Sequence, residues 1–441
     1  MSMEKRSLGL VFFPAFDWAI SPTHPEREER LLFTRDQVVE EGILDLPQIR
    51  EYRPRMAEIR DLERVHIGVP DIADLITDAH RVSAGGAITA AAAVMRGEVE
   101  RSFALVRPPG HHAMKVVHGT RGFCTVNIEA VMVEYLRRHY GIRQVAIVDT
   151  DVHHGDGTQD IYYHDPDTLF ISFHQNGRTL YPGSGFTNEM GSPGALLSTI
   201  NIPLPPGTGD DGIHAVLDDF VLPVLADFKP EIIINSAGQD NHYSDPLANM
   251  AVTAQGYARL TEKLRADVAV LEGGYSIEDA LPYVNVGIIL AMAGMDYSRV
   301  IEPNIDEAPM QSASTTRYIG ELVRQWRQTW ADRDRLKTEA IASTGGSWTR
   351  ERSVYYDDSQ IMERQQETLH YCRHCKGYQT ISSESSGSYS FKKSAFAAVL
   401  GLEACPDCRR NGKESLIRAK QAGQHQYYIL QDRQEDTTEK I

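Results

Sequence analysis

Asp149, Asp151 and His153 stand two apart where an apolar β-branched run, residues 145–148, gives way to a turn rich in Asp and His. Side chains two apart on an extended backbone point the same way, so these three share one side as the strand runs out. Two carboxylates and an imidazole suit a divalent cation, and a catalytic Zn²⁺ takes three protein ligands with a fourth position open to water. Asp151 and His153 supply two of them. The best third ligand is Asp240, which follows Ser236-Ala237-Gly238 at another strand end. His154 falls off the ligand face by parity. A cation neutralised by two carboxylates is a weaker Lewis acid than one held by three imidazoles, so such a site needs a base and an oxyanion donor beside it. His111-His112, after a Pro-Pro-Gly turn, offers paired imidazoles, and Tyr275, after Gly273-Gly274, offers a phenol. Cys372, Cys375, Cys405 and Cys408 form two Cys-x-x-Cys pairs, the pattern of a structural Cys₄ zinc site.

The elements that position these groups repeat. Apolar strands at 103–106, 145–148, 169–173, 232–234 and 268–271 each run into a polar loop. Amphipathic helical stretches at 128–139, 213–228 and 254–264 lie between them. Strand, polar loop and helix in alternation predict an α/β fold with one large parallel sheet and crossover helices on both faces. Ligands in such sheets bind outside the carboxyl ends of the strands, which brings the five polar loops to one edge. Residues 8–13 read as a first strand, 31–80 as largely helical, and 84–99 as a buried, alanine-rich helix.

The pattern stops near residue 310. The expected organisation is a catalytic domain over 1–310, a helical linker over 311–355 with a helix at 317–336, and a zinc module over 356–441 with a polar tail. Residues 382–390, rich in Ser and Gly, read as a flexible loop. Of the 441 residues, 41% are hydrophobic and 24% charged, an ordinary globular balance. The net charge of -16 argues against nucleic acid as a partner and mildly favours cationic substrates. No stretch is long enough to span a membrane. Paired cysteines suit metal chemistry in a cytoplasmic protein, with a homo-oligomer allowed.

The motifs together resemble those of the zinc-dependent histone deacetylase family, of the arginase–deacetylase fold, in its class II-like bacterial branch. His24-Pro25-Glu26-Arg27-Glu28-Glu29-Arg30 resembles the family's HPERxxR signature. Residues 107–113 read RPPGHHA, 122–124 with Asn127 match GFCxxN, 149–156 read DTDVHHGD and 271–275 read LEGGY. The resemblance covers roughly residues 8–300 and does not reach the cysteines. It implies zinc on Asp151, His153 and Asp240, a tandem acid/base pair at His111 and His112 oriented by Asp149 and Asp156, and Tyr275 as the carbonyl-polarising phenol. It further implies an acyl tunnel lined by Gly122, Phe123, Tyr181 and Leu247. A K⁺ ion would lie near Asp149, Asp151, His153, Ser172 and Phe173, with a second near Tyr162, Asp165 and Thr168. Gln239 and Tyr181 depart from the usual phenylalanines, and the loop at 114–121 is slightly long, with His118 within reach of the rim. His66, His174 and His242 are structural on this reading.

The implied activity is zinc-dependent hydrolysis of an N-ε-acyl-lysine amide or a related small amide. Acetylpolyamine amidohydrolysis is the alternative, which Leu247 at the mouth disfavours. A binuclear arginase-like enzyme is disfavoured by Asp240-Asn241-His242, which lacks Asp-x-Asp. An inactive deacetylase-fold scaffold is the non-enzyme alternative.

Overall fold

The structure is a computed structural model that describes residues 6–16, 18–21, 23–387 and 392–441. In chain order the first half carries β1 (Leu8–Phe13), α1 (Glu29–Glu40), β2 (Ile49–Tyr52), α2 (Ile59–Glu63), β3 (Ile67–Gly68), α3 (Asp78–Met95), β4 (Arg101–Val106), β5 (Val116–Val117) and α4 (Ile128–Tyr140). There follow β6 (Val145–Asp149), α5 (Asp156–Tyr162), β7 (Thr168–Gln175), β8 (Thr199–Leu204), α6 (Asp210–Val216), α7 (Leu222–Phe228), β9 (Ile232–Ala237), α8 (Ala254–Leu264), β10 (Val268–Leu271) and α9 (Leu281–Met292).

Eight of these strands form one sheet in the order β2-β1-β4-β10-β9-β6-β7-β8, every neighbouring pair parallel. The interior strand β6 is Val-Ala-Ile-Val-Asp and buried throughout, as a strand covered on both faces must be. Its alternate residues feed two cores. Ala146 and Val148 pack with β7, β8 and α7, whereas Val145 and Ile147 pack with α3 and α4. Helix α4 starts at Asn127, whose side chain accepts from Ala130 N, and stops at Gly141 in the left-handed region.

Two short strands, β2 and β3, interrupt the region expected to be helical. Both are too short and too polar or glycine-bearing to show a period, and both form only because a partner strand is already in place. Strand β8 was also unanticipated, and it extends the sheet beyond β7.

The chain then continues through α10 (Ala313–Ala331), α11 (Arg333–Ala342), β11 (Ser347–Tyr356), β12 (Ile361–His370), β13 (Tyr378–Gly387), β14 (Lys393–Leu400), α12 (Pro406–Ala422), β15 (Tyr427–Asp432) and β16 (Thr437–Lys440). Helix α10 is no free linker. Its Ile319, Leu322, Val323 and Trp326 are buried in the core of the first domain, and Trp326 Nε1 donates to Asn201 O at 3.0 Å. The residues expected to end the linker are strand β11, which pairs with β12 along its whole length. Residues 382–387 are likewise strand, part of β13 between β12 and β14, because alternate residues such as Ser383 and Ser385 are buried. Residues 388–390 of the expected flexible loop lie outside the described residues.

Strands β11 to β16 form a second sheet in sequence order, antiparallel except where α12 crosses over to set β15 parallel to β14. One face lies against the first domain, and α12 covers part of the other. Ile381, Ala395, Ala397, Val399 and Ile429 pack on Ile67, Val69 and Val116 of the first domain, while Ala398, Leu400 and Leu430 pack under α12. Charge is buried at the same junction. Asp160 of α5 meets Arg350 (3.1 Å) and Arg352 (2.5 Å), and Glu367 meets Arg350 (2.6 Å) and His164 (2.9 Å). No described helix is long and apolar enough to cross a membrane.

Candidate active site

The carboxyl ends of β4, β6, β9 and β10 open on a cavity of about 220 Å³. Its walls include His111, His112, Phe123, Tyr181, Leu247 and Tyr275. At its floor, ligand atoms of Asp151, His153 and Asp240 lie within 4.8 Å of one another. His153 Nδ1 is 3.1 Å from Asp151 Oδ1 and 3.0 Å from Asp240 Oδ2. Backbone amides fix both carboxylates: Gly273 N donates to Asp151 Oδ2 at 2.7 Å and Val152 N to Asp240 Oδ1 at 2.9 Å. Burial, and then the charge on Asp151, push the Asp240 carboxyl above its usual range. Two carboxylates without solvent and an imidazole that converges on them are a donor set that a divalent cation would satisfy, so the residues fit such an ion.

The tandem histidines stand beside this trio. His111 Nδ1 is 3.2 Å from Asp149 Oδ2 and His112 Nδ1 is 2.8 Å from Asp156 Oδ1, with ring centroids 4.1 Å apart. Each pairing holds a ring so that Nε2 is the atom left for chemistry. Their environments pull them apart. Burial opposes a proton on His111, but Asp151 and Asp149 outweigh it and hold its pKa at about 9. A cation on Asp151 would weaken the first of these and leave Asp149. Burial, and then the charge on His111, drive His112 to about 3 despite Asp156.

Tyr275 lies across the cavity, almost fully buried. Phe123 meets its ring edge-on at 5.7 Å, and the Arg30 guanidinium lies 4.8 Å from its centroid. Its main chain is pinned by Asp245, which accepts from Tyr275 N at 2.7 Å. Tyr181 stands edge-on to His112 at 5.1 Å. Gly122 admits no side chain, since a Cβ there would come within 2.5 Å of His112.

Several supporting residues carried no role on sequence grounds. Glu272 Oε2 accepts from Gly110 N (2.7 Å) and His111 N (3.0 Å), fixing the backbone of the tandem pair. Glu26 bridges Arg30 and Arg107 with no solvent exposure, and Arg30 Nε donates to Gly274 O at 2.7 Å. The charged 24–30 segment, bland when read by spacing alone, is therefore the brace behind the tyrosine turn. Arg121 holds the second oxygen of Asp156 at 2.6 Å. Asp357, from the turn after β11, lines the cavity as well, and nothing local in the sequence marks it.

Other expectations fare differently. His66, His174 and His242 are buried and bonded to Met114 O, to Ser172 with Gly185 O, and to Ser244 with Glu302. His154 is turned to Ser184 and Gln159. His118 does not reach the rim, because its Nε2 is taken by Ser383 at 2.7 Å in the domain junction. Gln239 bonds Asn285 away from the cavity. Asp149 and Ser172 are register neighbours on β6 and β7, with Phe173 next in line. The Ser172 hydroxyl is committed to His174, so any share in a monovalent ion would fall to backbone oxygen. Around Tyr162, Asp165 and Thr168, Arg137 sits 2.7 Å from Asp165, donates to Thr168 Oγ1 and lies over the Tyr162 ring.

The four cysteine sulfurs also lie within 4.8 Å of one another, with Cys372–Cys405 at 3.8 Å and Cys375–Cys408 at 3.5 Å. Tetrahedral Zn–S bonds of about 2.3 Å imply sulfur separations of about 3.8 Å. The donor set fits. Cys405 is the N-cap of α12, and the other knuckle joins β12 to β13.

Comparison with known proteins places this geometry. A "Probable deacetylase" of Archaeoglobus fulgidus is 47% identical over 310 residues, covering 64% of this chain and 85% of that protein. The chain belongs to the histone deacetylase family. Residues 72–287 match the family model described as the histone deacetylase domain. The "Histone deacetylase-like amidohydrolase" of Pseudomonas aeruginosa is 37% identical over 240 residues, which is 52% of this chain and 62% of that one. Among solved structures, the crystal structure of the HDA15 HD domain matches with a TM-score of 0.64 at 27% identity, covering 76% of this chain and 99% of its own. This histone deacetylase homologue thus carries a second sheet outside the residues that the family model matches.

Proposed function

We propose that the protein is a zinc-dependent deacylase that hydrolyses N-ε-acyl-lysine amides, acetyl foremost. One observation carries the reading: Asp151, His153 and Asp240 converge at the floor of a cavity that Tyr275 and the His111–His112 pair also face. Family membership supports amide hydrolysis in general, and the cavity narrows it. Phe123 and Tyr181 form aromatic walls suited to a methylene stem, leading to the polar floor.

A divalent cation on the Asp151–His153–Asp240 trio would supply Lewis acidity towards an acyl carbonyl and acidify water. The chain's own residues do the rest. Tyr275 donates its O–H to the carbonyl oxygen as negative charge develops there. His112, kept neutral, accepts a proton from the attacking water at Nε2, and Asp156 supports the resulting charge at Nδ1. His111, kept protonated by Asp149, steadies the charge and supplies a proton to the leaving amine. Paired groups driven to opposite protonation states are how one site runs base and acid chemistry together. This asymmetry supports His112 as the base and His111 as the acid, roles left open on sequence grounds.

Acetylpolyamine hydrolysis is a second reading with an observation of its own. Leu247 lines the cavity as expected, but a carboxylate, Asp357, lines it too. A binuclear arginase-like site finds no support, since Asn241 donates to Thr150 O and His242 is turned to Glu302. A panel of acyl-lysine peptides and acetylpolyamines, assayed with and without chelator and with zinc restored, tests the proposal. Chelator-sensitive turnover of acetyl-lysine peptides is expected. Turnover that survives complete metal removal would refute it.

A further inference from the structure

The tip of the β11–β12 hairpin, residues 357–359, reaches from the second domain to the mouth of the catalytic cavity. Asp357 Oδ1 accepts from Gly122 N (3.0 Å) and from the Tyr181 hydroxyl (3.2 Å), so it ties two neighbouring segments of the cavity wall together. Asp358 Oδ2 accepts from Phe123 N at 2.9 Å, and Ser359 Oγ accepts from Thr120 N at 2.9 Å. Arg121 donates to Tyr355 O on the same hairpin. The fit leaves no slack at Gly119, where a Cβ would meet Ser359 Oγ at 2.4 Å.

These contacts fall where the catalytic domain needs help. Gly122 and Phe123 have φ of 51° and 68°, two consecutive left-handed residues, and the second is an aromatic that pays a steric penalty there. Successive amides in this geometry form a concave donor pair suited to an anion. The two carboxylates supply it. Phe123 in turn packs on Tyr275 and on His24, whose ring centroid is 4.4 Å away, so its backbone setting reaches the phenol. Asp357 also keeps one oxygen in reserve: Oδ2 has no hydrogen-bond partner among the described residues, and the residue lines the cavity.

We propose that the hairpin tip is the outer wall of the active site. Asp357 and Asp358 are positioning residues for Gly122–Phe123, and the free oxygen of Asp357 selects substrates that bring a cation to the mouth. The selectivity half rests on the hydrolase reading above, whereas the positioning half does not. The second domain then acts as a component of the catalytic pocket.

The full-length, metal-loaded protein tests both halves. Two acetyl-lysine peptides, differing in an arginine or a glutamate beside the acetyl-lysine, are compared. Wild type is expected to prefer the arginine peptide, and Asp357→Asn, which keeps an acceptor but not the charge, should cut that preference about fivefold, mainly through KM. An unchanged ratio overturns the selectivity half. Hydrogen exchange over residues 119–127 is then measured for Asp357→Ala and Asp358→Ala, with metal content as the check on folding. Protection is expected to fall about tenfold as these charge-assisted bonds are lost. Wild-type protection in both variants overturns the positioning half. If wild type cleaves neither peptide, the acyl-lysine reading fails, and hydrogen exchange still decides the role of the hairpin.

Discussion

Replacing Tyr275 by phenylalanine removes one oxygen from the cavity and little else. The ring is 7% exposed, held by Arg30 over its face and Phe123 at its edge, and phenylalanine keeps both contacts. The hydroxyl has no hydrogen-bond partner among the described residues, so its loss orphans no buried group. Stability should therefore shift by less than about 1 kcal/mol. Activity should not be spared. A single oxyanion donor is worth about 2.7–4 kcal/mol, or about a hundredfold to a thousandfold in kcat. Urea denaturation and steady-state kinetics on an acetyl-lysine peptide, both on metal-loaded protein, read the two quantities separately. A kcat within about threefold of wild type would refute the assignment. Parallel losses of stability and activity would do the same, by making Tyr275 a packing residue.

Three further outcomes are expected. Glu26→Gln removes the fully buried charge between Arg30 and Arg107, so urea denaturation should show a loss of about 3–5 kcal/mol, and kcat should fall with the Gly274 turn that Arg30 braces. His66 is buried neutral, with burial lowering its pKa from 6.5 to about 4, so its contribution is intact above pH 6.5 and lost as pH falls from 6.5 towards 4. Between pH 7 and 4.5 wild type should lose about 2 kcal/mol more than His66→Gln by urea denaturation, and equal losses would refute the assignment. Cys405→Ser should lower the metal content by one ion per chain while the ion at Asp151 stays, and elemental analysis showing both ions retained would remove the Cys₄ site.

The site was legible where chemistry and spacing coincide. Alternation placed Asp149, Asp151 and His153 on one side, and the strand-loop repeat brought His111, Asp240 and Tyr275 to the same sheet edge. Buried parallel strands such as β6 announce themselves as continuous apolar runs. Strand β2 does not, because Ile-Arg-Glu-Tyr at a sheet edge buries too little to set a period. The second sheet was missed for a related reason. Its strands carry Arg, Glu, Gln and Ser on faces buried by ion pairs and hydrogen bonds, as at Glu363, Gln365 and Glu367, so polarity there signals a charged junction and not a loop. Asp357 could not be placed at all from sequence. It lies far along the chain from Gly122, and only the docking of one sheet on the other domain brings them together.

That junction governs what can be cut away. Asp160 stands one helical turn after Asp156, the partner of His112, and its counterions come from Arg350 and Arg352 beyond residue 346. Ending the chain at residue 346 would strand this carboxylate and bare Ile67, Val69 and Val116. A shortened version made for crystallography or screening would carry every residue of the reaction and still be a poor likeness of the enzyme.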